Sequence, residues 1–96
     1  MSELQPTTGV VHNREAQQFE LRSGQGLCVL QYRITAGKMI IYHTEVPPPL
    51  ERKGLAAEMT RAALEFARSE KLRVEPRCPY TVTFLRKHPE YSGLLR

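Results

Sequence analysis

At 96 residues, with 41% hydrophobic and 25% charged side chains, the chain has the makeup of one globular domain with a single modest core, and it is too apolar for disorder. No apolar run approaches the roughly 18 residues that span a bilayer, which excludes a transmembrane helix. The net charge of +4 is uneven: residues 1–50 carry four basic and four acidic side chains, residues 51–96 ten and six. That excess suits an anionic partner: a nucleotide-like cofactor, a nucleic acid or an acidic surface.

Met1 to Thr8 is polar, contains Pro6 and is expected to be a flexible N-terminus, with residues 9–96 forming a single domain. The same start lacks the basic and apolar blocks of a secretory signal, so the expected compartment is cytoplasmic. Four strands are predicted next. Val10 to Asn13 is short; Gln18 to Arg22 alternates through Phe19 and Leu21; Ser23 to Gly26 supplies a turn. Leu27 to Ile34 places Cys28, Leu30, Tyr32 and Ile34 on one face, and Ala36 to Lys38 turns the chain into Met39 to Val46. Such short connections imply an antiparallel meander.

Pro47, Pro48 and Pro49 cannot donate ladder hydrogen bonds, so the fourth strand ends or splays by Val46. From Gly54 the hydrophobic period changes from two to the helical value. Leu55, Met59, Ala62, Ala63 and Phe66 form one stripe, and Glu58, Arg61, Glu65 and Arg68 the solvated face, of a helix that stops near Glu70. Leu72 to Pro76 is a short fifth strand, and reaching it through a helical crossover favours parallel pairing with the fourth. After Cys78 and Pro79, Tyr80 to Lys87 makes a short final helix with Val82, Phe84 and Leu85 as its apolar positions, stopped by His88 and Pro89. The fold class is α/β (α+β): antiparallel strands 1–4, a crossover helix, a parallel fifth strand and a short final helix.

The junction between the fourth strand and the crossover helix has the makings of an anion site. The first turn of a helix has N–H groups without intrahelical partners and the positive end of the macrodipole. Arg52 and Lys53 stand at its mouth, and Gly54, Leu55 and Ala56 let a ligand approach the main chain. A tight strand-to-helix turn with solvated charges accounts for the same residues. The spacing is neither that of a Walker loop nor that of a dinucleotide fingerprint. Two cysteines, Cys28 and Cys78, are too few for a disulfide framework and lack neighbours for a zinc motif, so both are expected as reduced thiols with no metal.

The runs HTEVPPPLERKGLAAEM and EPRCPYTVTFLRKHPEY, one at each end of the crossover, resemble the small single-domain proteins of the GCN5-related N-acetyltransferase superfamily. The resemblance covers about residues 10–92, and His-Thr-Glu-Val-Pro and Cys-Pro-Tyr are its most specific parts. It implies the acyl-CoA N-acyltransferase fold and a site for acetyl coenzyme A between splayed fourth and fifth strands. The superfamily loop is Arg or Gln, two residues, Gly, one residue, then Gly or Ala, with its amides on the pyrophosphate. Here it falls on Glu51, Arg52, Lys53, Gly54, Leu55 and Ala56. Glu51 departs from it and is expected to point outward while Arg52 and Lys53 supply the charge. The strand edge near Glu45 and Val46 then pairs with the pantetheine arm, a strand addition by a ligand; otherwise the prolines simply block an edge against aggregation.

The resemblance places Cys78 at the thioester end of the site. As a thiol it could accept the acetyl group, protonate the leaving coenzyme A thiolate or line the channel; a small core hydrophobe is the plain alternative, and Cys28 keeps that role. His43 has the chemistry to deprotonate an attacking amine, with Glu45 of the same strand parity behind it. Tyr80 is an alternative proton donor or a packing residue. Arg86 and Lys87 reach adenosine phosphates or are solvated charge, and His12 and His88 have no assigned task. The function expected is transfer of acetyl from acetyl coenzyme A to a primary amine, of a protein lysine or a small molecule. The rivals are a non-catalytic coenzyme A binder or sensor and a basic nucleic-acid-binding module. The last is disfavoured by the absence of Trp and of an aromatic stacking stripe. No membrane partner is expected, and neither acceptor nor oligomeric state is legible.

Overall fold

The computed structural model describes residues 9–95, so the expected flexible segment 1–8 lies outside the described residues. Its elements in chain order are β1 (Val10–Asn13), β2 (Gln18–Ser23), β3 (Gly26–Thr35), β4 (Lys38–Glu45), a 3-10 turn Pro48–Leu50, α1 (Leu55–Ser69), β5 (Arg73–Pro76), α2 (Pro79–Lys87) and a 3-10 segment Pro89–Leu95. The strands form one sheet in sequence order. The first three pairings are antiparallel and β4 pairs with β5 in parallel, as the helical crossover demands. No described helix is long and apolar enough to cross a membrane.

Strand alternation gives the sheet two unlike faces. Phe19, Leu21, Cys28, Leu30, Tyr32, Met39, Ile41 and Val74 are buried in one core with Met59, Ala63, Leu64 and Ala67 of α1. Phe84 and Leu85 of α2 and Tyr91 of the C-terminal segment join the same cluster. The alternate residues of β1 to β3 carry a polar ladder instead. Asn13 and Gln18 donate to Glu20 Oε2 at 3.0 and 2.6 Å, and Gln31 donates to Gln18 Oε1 at 3.1 Å. The Gln18 and Asn13 amides hold the Glu20 carboxyl below the usual carboxylate range. Ile34 was expected on the buried face but is 40% exposed. Pairing with β2 ends at Gln31, so β3 continues beyond that neighbour with only β4 beside it.

The buried stripe of α1 is rotated relative to the sequence pattern. Leu55, Ala62 and Phe66 are only partly buried, whereas Thr60, Leu64 and Ala67 are fully inside. Thr60 tolerates this because its hydroxyl donates to the carbonyl of Ala56, one turn back, at 2.8 Å. The helix ends in a Schellman arrangement. The amides of Leu72 and Lys71 reach back to the carbonyls of Ala67 and Arg68 at 2.9 and 3.2 Å, with Lys71 at φ +59° where glycine is usual.

Candidate functional site

Two local features open the sheet at its β4–β5 end. The first is a bulge. Gln31 faces His43 and Tyr32 faces Ile41, so Tyr42 is an extra residue on β4. The extra residue reverses the alternation. Thr44, opposite buried Leu30, and part-buried Val46 take the core side, while His43, opposite Gln31, and Glu45, opposite Val29, turn to the other face. The second is the end of the parallel ladder. It stops at Ile41 and Pro76, after which the amides of Arg77 and Cys78 both bond the carbonyl of Ile41, at 2.8 and 3.1 Å. From Tyr42 onward β4 is paired on its β3 side alone.

The gap leads to a cavity of about 360 Å³ bordered by Thr44, Val46, Leu50, Glu51, Arg52, Gly54, Leu55, Ala56, Ala57 and Tyr80. Gly54 caps α1 at φ +78°, and no side chain hydrogen-bonds to the first turn. The first bond back along the helix runs from Glu58 to the Gly54 carbonyl at 3.1 Å, leaving the amides of Leu55, Ala56 and Ala57 without a partner among the described residues. Arg52 also has positive φ, +68°. A chain that turns left-handed at these points exposes successive N–H groups, the geometry of an anion nest.

Of the residues singled out from the sequence, Val46, Arg52, Gly54, Leu55 and Ala56 border this cavity, and Lys53 is exposed outside its lining. Glu51, expected to turn outward, is exposed and also borders it. Tyr80 also lines it, and burial pushes its phenol up against the pull of Arg61, so it is protonated at neutral pH. Arg86 and Lys87 are exposed away from the lining.

Cys78 is the N-cap of α2 and is 6% exposed. Its thiol donates to Thr44 Oγ1 at 3.6 Å, and Thr44 borders the cavity. Burial pushes the thiol up. The Thr44 hydroxyl, the Thr81 and Tyr80 amides and the Thr81 hydroxyl outweigh it and bring the thiol below its ordinary value. Cys28 has burial alone, which raises it, and stays a core residue. His43 and Glu45 meet at 3.2 Å with side chains 48% and 67% exposed, on the face of β4 opposite Thr44. His12 packs within aromatic residues, 4.0 Å from Phe19 and 4.5 Å from Phe66 between ring centroids. His88 stacks on Phe84 at 4.1 Å.

Sequence reasoning missed Thr44, Leu50, Ala57 and Thr81. Ala57 had a signal, because a helix N-terminus offers its third amide as readily as its first two. The others depend on the bulge, the 3-10 turn after the prolines and the packing that buries the first turn of α2, none of which has a local signature in these residues.

A family model for GCN5-related N-acetyl-transferase matches residues 18–94. Protein NATD1 of Bos taurus is 32% identical over 83 residues, covering 83% of this chain and 74% of that protein. Protein NATD1 of Danio rerio is 30% identical over 87 residues, covering 85% and 79%. Among solved structures, a GCN5-like protein from Staphylococcus aureus superposes with a TM-score of 0.68 at 23% identity, covering 81% of this chain and 79% of that one, a likeness of fold. With the family model spanning most of its length and the strand order, crossover and opened β4–β5 pair all in place, the chain belongs to the GCN5-related N-acetyltransferase family.

Proposed function

We propose that this protein binds acetyl coenzyme A at the β4–β5 opening and transfers its acetyl group to a primary amine. The observation that carries the proposal is the uncapped first turn of α1 at the mouth of a cavity that continues along β4 to Thr44, whose hydroxyl touches Cys78. The amides of Leu55, Ala56 and Ala57 would hold the pyrophosphate, with Arg52 adding charge and Gly54 setting the loop. Glu51 beside Arg52 bears on affinity more than on location. Val46 and the unpaired edge of β4 would take the pantetheine arm, which brings the thioester toward Cys78.

Transfer then requires three acts from the protein. His43, backed by Glu45, takes the proton from an amine arriving over the open face of the sheet, so that the free amine attacks the thioester carbonyl. Free backbone N–H groups along the opened edge of β4 stabilise the oxyanion. Cys78 protonates the coenzyme A thiolate as the C–S bond breaks. A second route is favoured by the depressed thiol: the Cys78 sulfur attacks the thioester, coenzyme A leaves as the thiol, and the amine then displaces the acetyl group from sulfur.

The exposure of His43 and Glu45 also supports a rival, a coenzyme A binder without turnover, since neither is walled into an acceptor pocket. Calorimetric titration with acetyl coenzyme A and with dephospho-coenzyme A tests the cofactor assignment. Micromolar binding of both is expected, because both keep the pyrophosphate; absence of heat with either overturns it. Turnover across an amine panel separates enzyme from binder. Cys78→Ala separates the routes, since the acyl-cysteine route ends with loss of its nucleophile and the direct route retains appreciable rate.

A further inference from the structure

Gly26 opens β3 at φ +145°, directly after the Gly24–Gln25 loop of the β2–β3 hairpin. It is also where that hairpin meets the segment leading to the cavity. A Cβ at Gly26 would stand 2.8 Å from Pro47 Cγ and 3.3 Å from Pro47 Cβ, inside the roughly 3.5–4.0 Å of carbon atoms in contact. The pyrrolidine ring closes onto its own backbone nitrogen, so it yields little before the main chain moves with it. Gly24, in the same hairpin, has open space around it. The contact counts because the sheet gives this segment no further rungs. The β3–β4 ladder ends at the Val29–Glu45 pair, and Pro47, Pro48 and Pro49 have no N–H with which to extend it. The turn's own hydrogen bonds are internal: the amides of Leu50 and Glu51 donate to the carbonyls of Pro47 and Pro48 at 2.8 and 3.2 Å. Packing therefore sets the turn on the sheet, through Pro47 against Gly26 and through Leu50, which is buried in the core. Leu50, Glu51 and Arg52 all border the cavity, and Arg52 leads at φ +68° into the Gly54 cap.

We propose that Gly26 is a positioning residue for the ligand loop: its missing side chain seats Pro47 on the β2–β3 hairpin, and that seat sets where Leu50, Glu51 and Arg52 stand at the cavity. Gly26 acts through Pro47 and lies outside the lining itself. A methyl group there pushes the proline away by roughly half an ångström or more before carbon contacts are normal, and the internally bonded turn moves with it. The inference deepens the proposed function and rests on that reading for the identity of the ligand. The mechanical link is readable in the protein alone.

The test is a double-mutant cycle of Gly26→Ala and Pro47→Ala, with Gly24→Ala as the control from the same hairpin. In ligand-free protein, amide proton–nitrogen NMR spectra should show Gly26→Ala moving the resonances of Leu50, Glu51, Arg52 and Gly54, and Gly24→Ala leaving them at the parent positions. Pro47→Ala removes the atom that a Cβ would strike at 2.8 Å, so in that background Gly26→Ala should move them less. Titration with acetyl coenzyme A should follow: Gly26→Ala weakens binding about twofold or more beyond its effect in the Pro47→Ala background, the lower bound of coupling between residues in contact. Gly24→Ala binds as the parent does. Unmoved resonances in a folded Gly26→Ala protein overturn the proposal, and so does unchanged affinity. Equal shifts in both backgrounds overturn it as well, because the torsional change at residue 26 is common to both and the contact is not. If Gly26→Ala does not fold, the double variant is expected to, and its failure overturns the proposal. If the parent does not bind acetyl coenzyme A, the proposed function falls, and the positioning of the turn stands or falls on the amide shifts alone.

Discussion

Replacing Gly54 by Ala separates the conformational need of the loop from its chemistry. Gly54 sits at φ +78°, and a Cβ built there meets no atom within 4 Å, so the substitution has a torsional penalty without a steric one. An L-residue in the left-handed region costs about 1–2 kcal/mol. The narrower unfolded ensemble of Ala offsets about 0.4–1 kcal/mol of that. The net loss is about 1 kcal/mol, a fall in Tm of roughly 4–8 °C for a domain of this size. Gly37, in the β3–β4 turn, is the matched control, with φ +75° and equally open space.

Calorimetric melting of Gly54→Ala and Gly37→Ala should therefore give similar losses, while Gly24→Ala, with open space and no positive φ, keeps the unfolded-state gain of about 0.4–1 kcal/mol without the torsional penalty and should melt above the parent. Acetyl coenzyme A titration should then divide the pair. Gly54→Ala pulls the cap toward negative φ and rotates the amides of Leu55 and Ala56, weakening binding severalfold, whereas Gly37→Ala binds as the parent does. Equal affinity in the two variants would refute the idea that the left-handed cap shapes the ligand cradle. An unchanged Tm for both would refute the torsional argument itself.

At the other end of α1, Lys71 holds the left-handed position of the Schellman arrangement at φ +59°. Lys71→Gly should raise stability by about 0.5–1 kcal/mol in urea titration, the strain relief exceeding glycine's added freedom when unfolded, and leave ligand affinity unchanged. Acid should destabilise the protein through His12, which burial, helped by Arg14, holds below its ordinary value. The unfolded chain takes up that proton near pH 6.5 and the folded one only below it, so His12's contribution is complete above about pH 6.5 and declines as the pH falls through it. His12→Phe keeps an aromatic ring beside Phe19 and removes the titration; urea midpoints of parent and variant should diverge in pH dependence between about pH 7.5 and 5, and parallel curves would count against the assignment.

Much of this was legible in the chain because the hydrophobic period changes once, from two to the helical value at Gly54, and because three prolines mark where the fourth strand must stop. What escaped was set by packing. Thr60 and Thr81 are fully buried, yet a stripe drawn through apolar residue types skips any threonine. Thr60 is satisfied by its own helix and Thr81 is not, a distinction that exists only in three dimensions. Ile34 shares the parity of Leu30 and Tyr32 but extends past the end of β2, and periodicity carries no information about where a neighbour stops.

The bulge at Tyr42 shows the same limit and has the larger consequence. Uninterrupted alternation after Met39 and Ile41 would carry His43 and Glu45 to the core side, and Thr44 and Val46 away from it. One extra residue exchanges the two pairs, placing Thr44 against Cys78 and sending His43 and Glu45 to the open face. The break in the neighbouring ladder lies at the same level. Pro76 has no N–H to continue the pairing, and the amides of Arg77 and Cys78 converge on Ile41, directing the chain into α2 with Cys78 as its cap. A bulge on one strand and a proline on the next thus bring three kinds of chemistry to one opening: free helix amides, a thiol among neutral donors, and a histidine–carboxylate pair on the far side of the same strand.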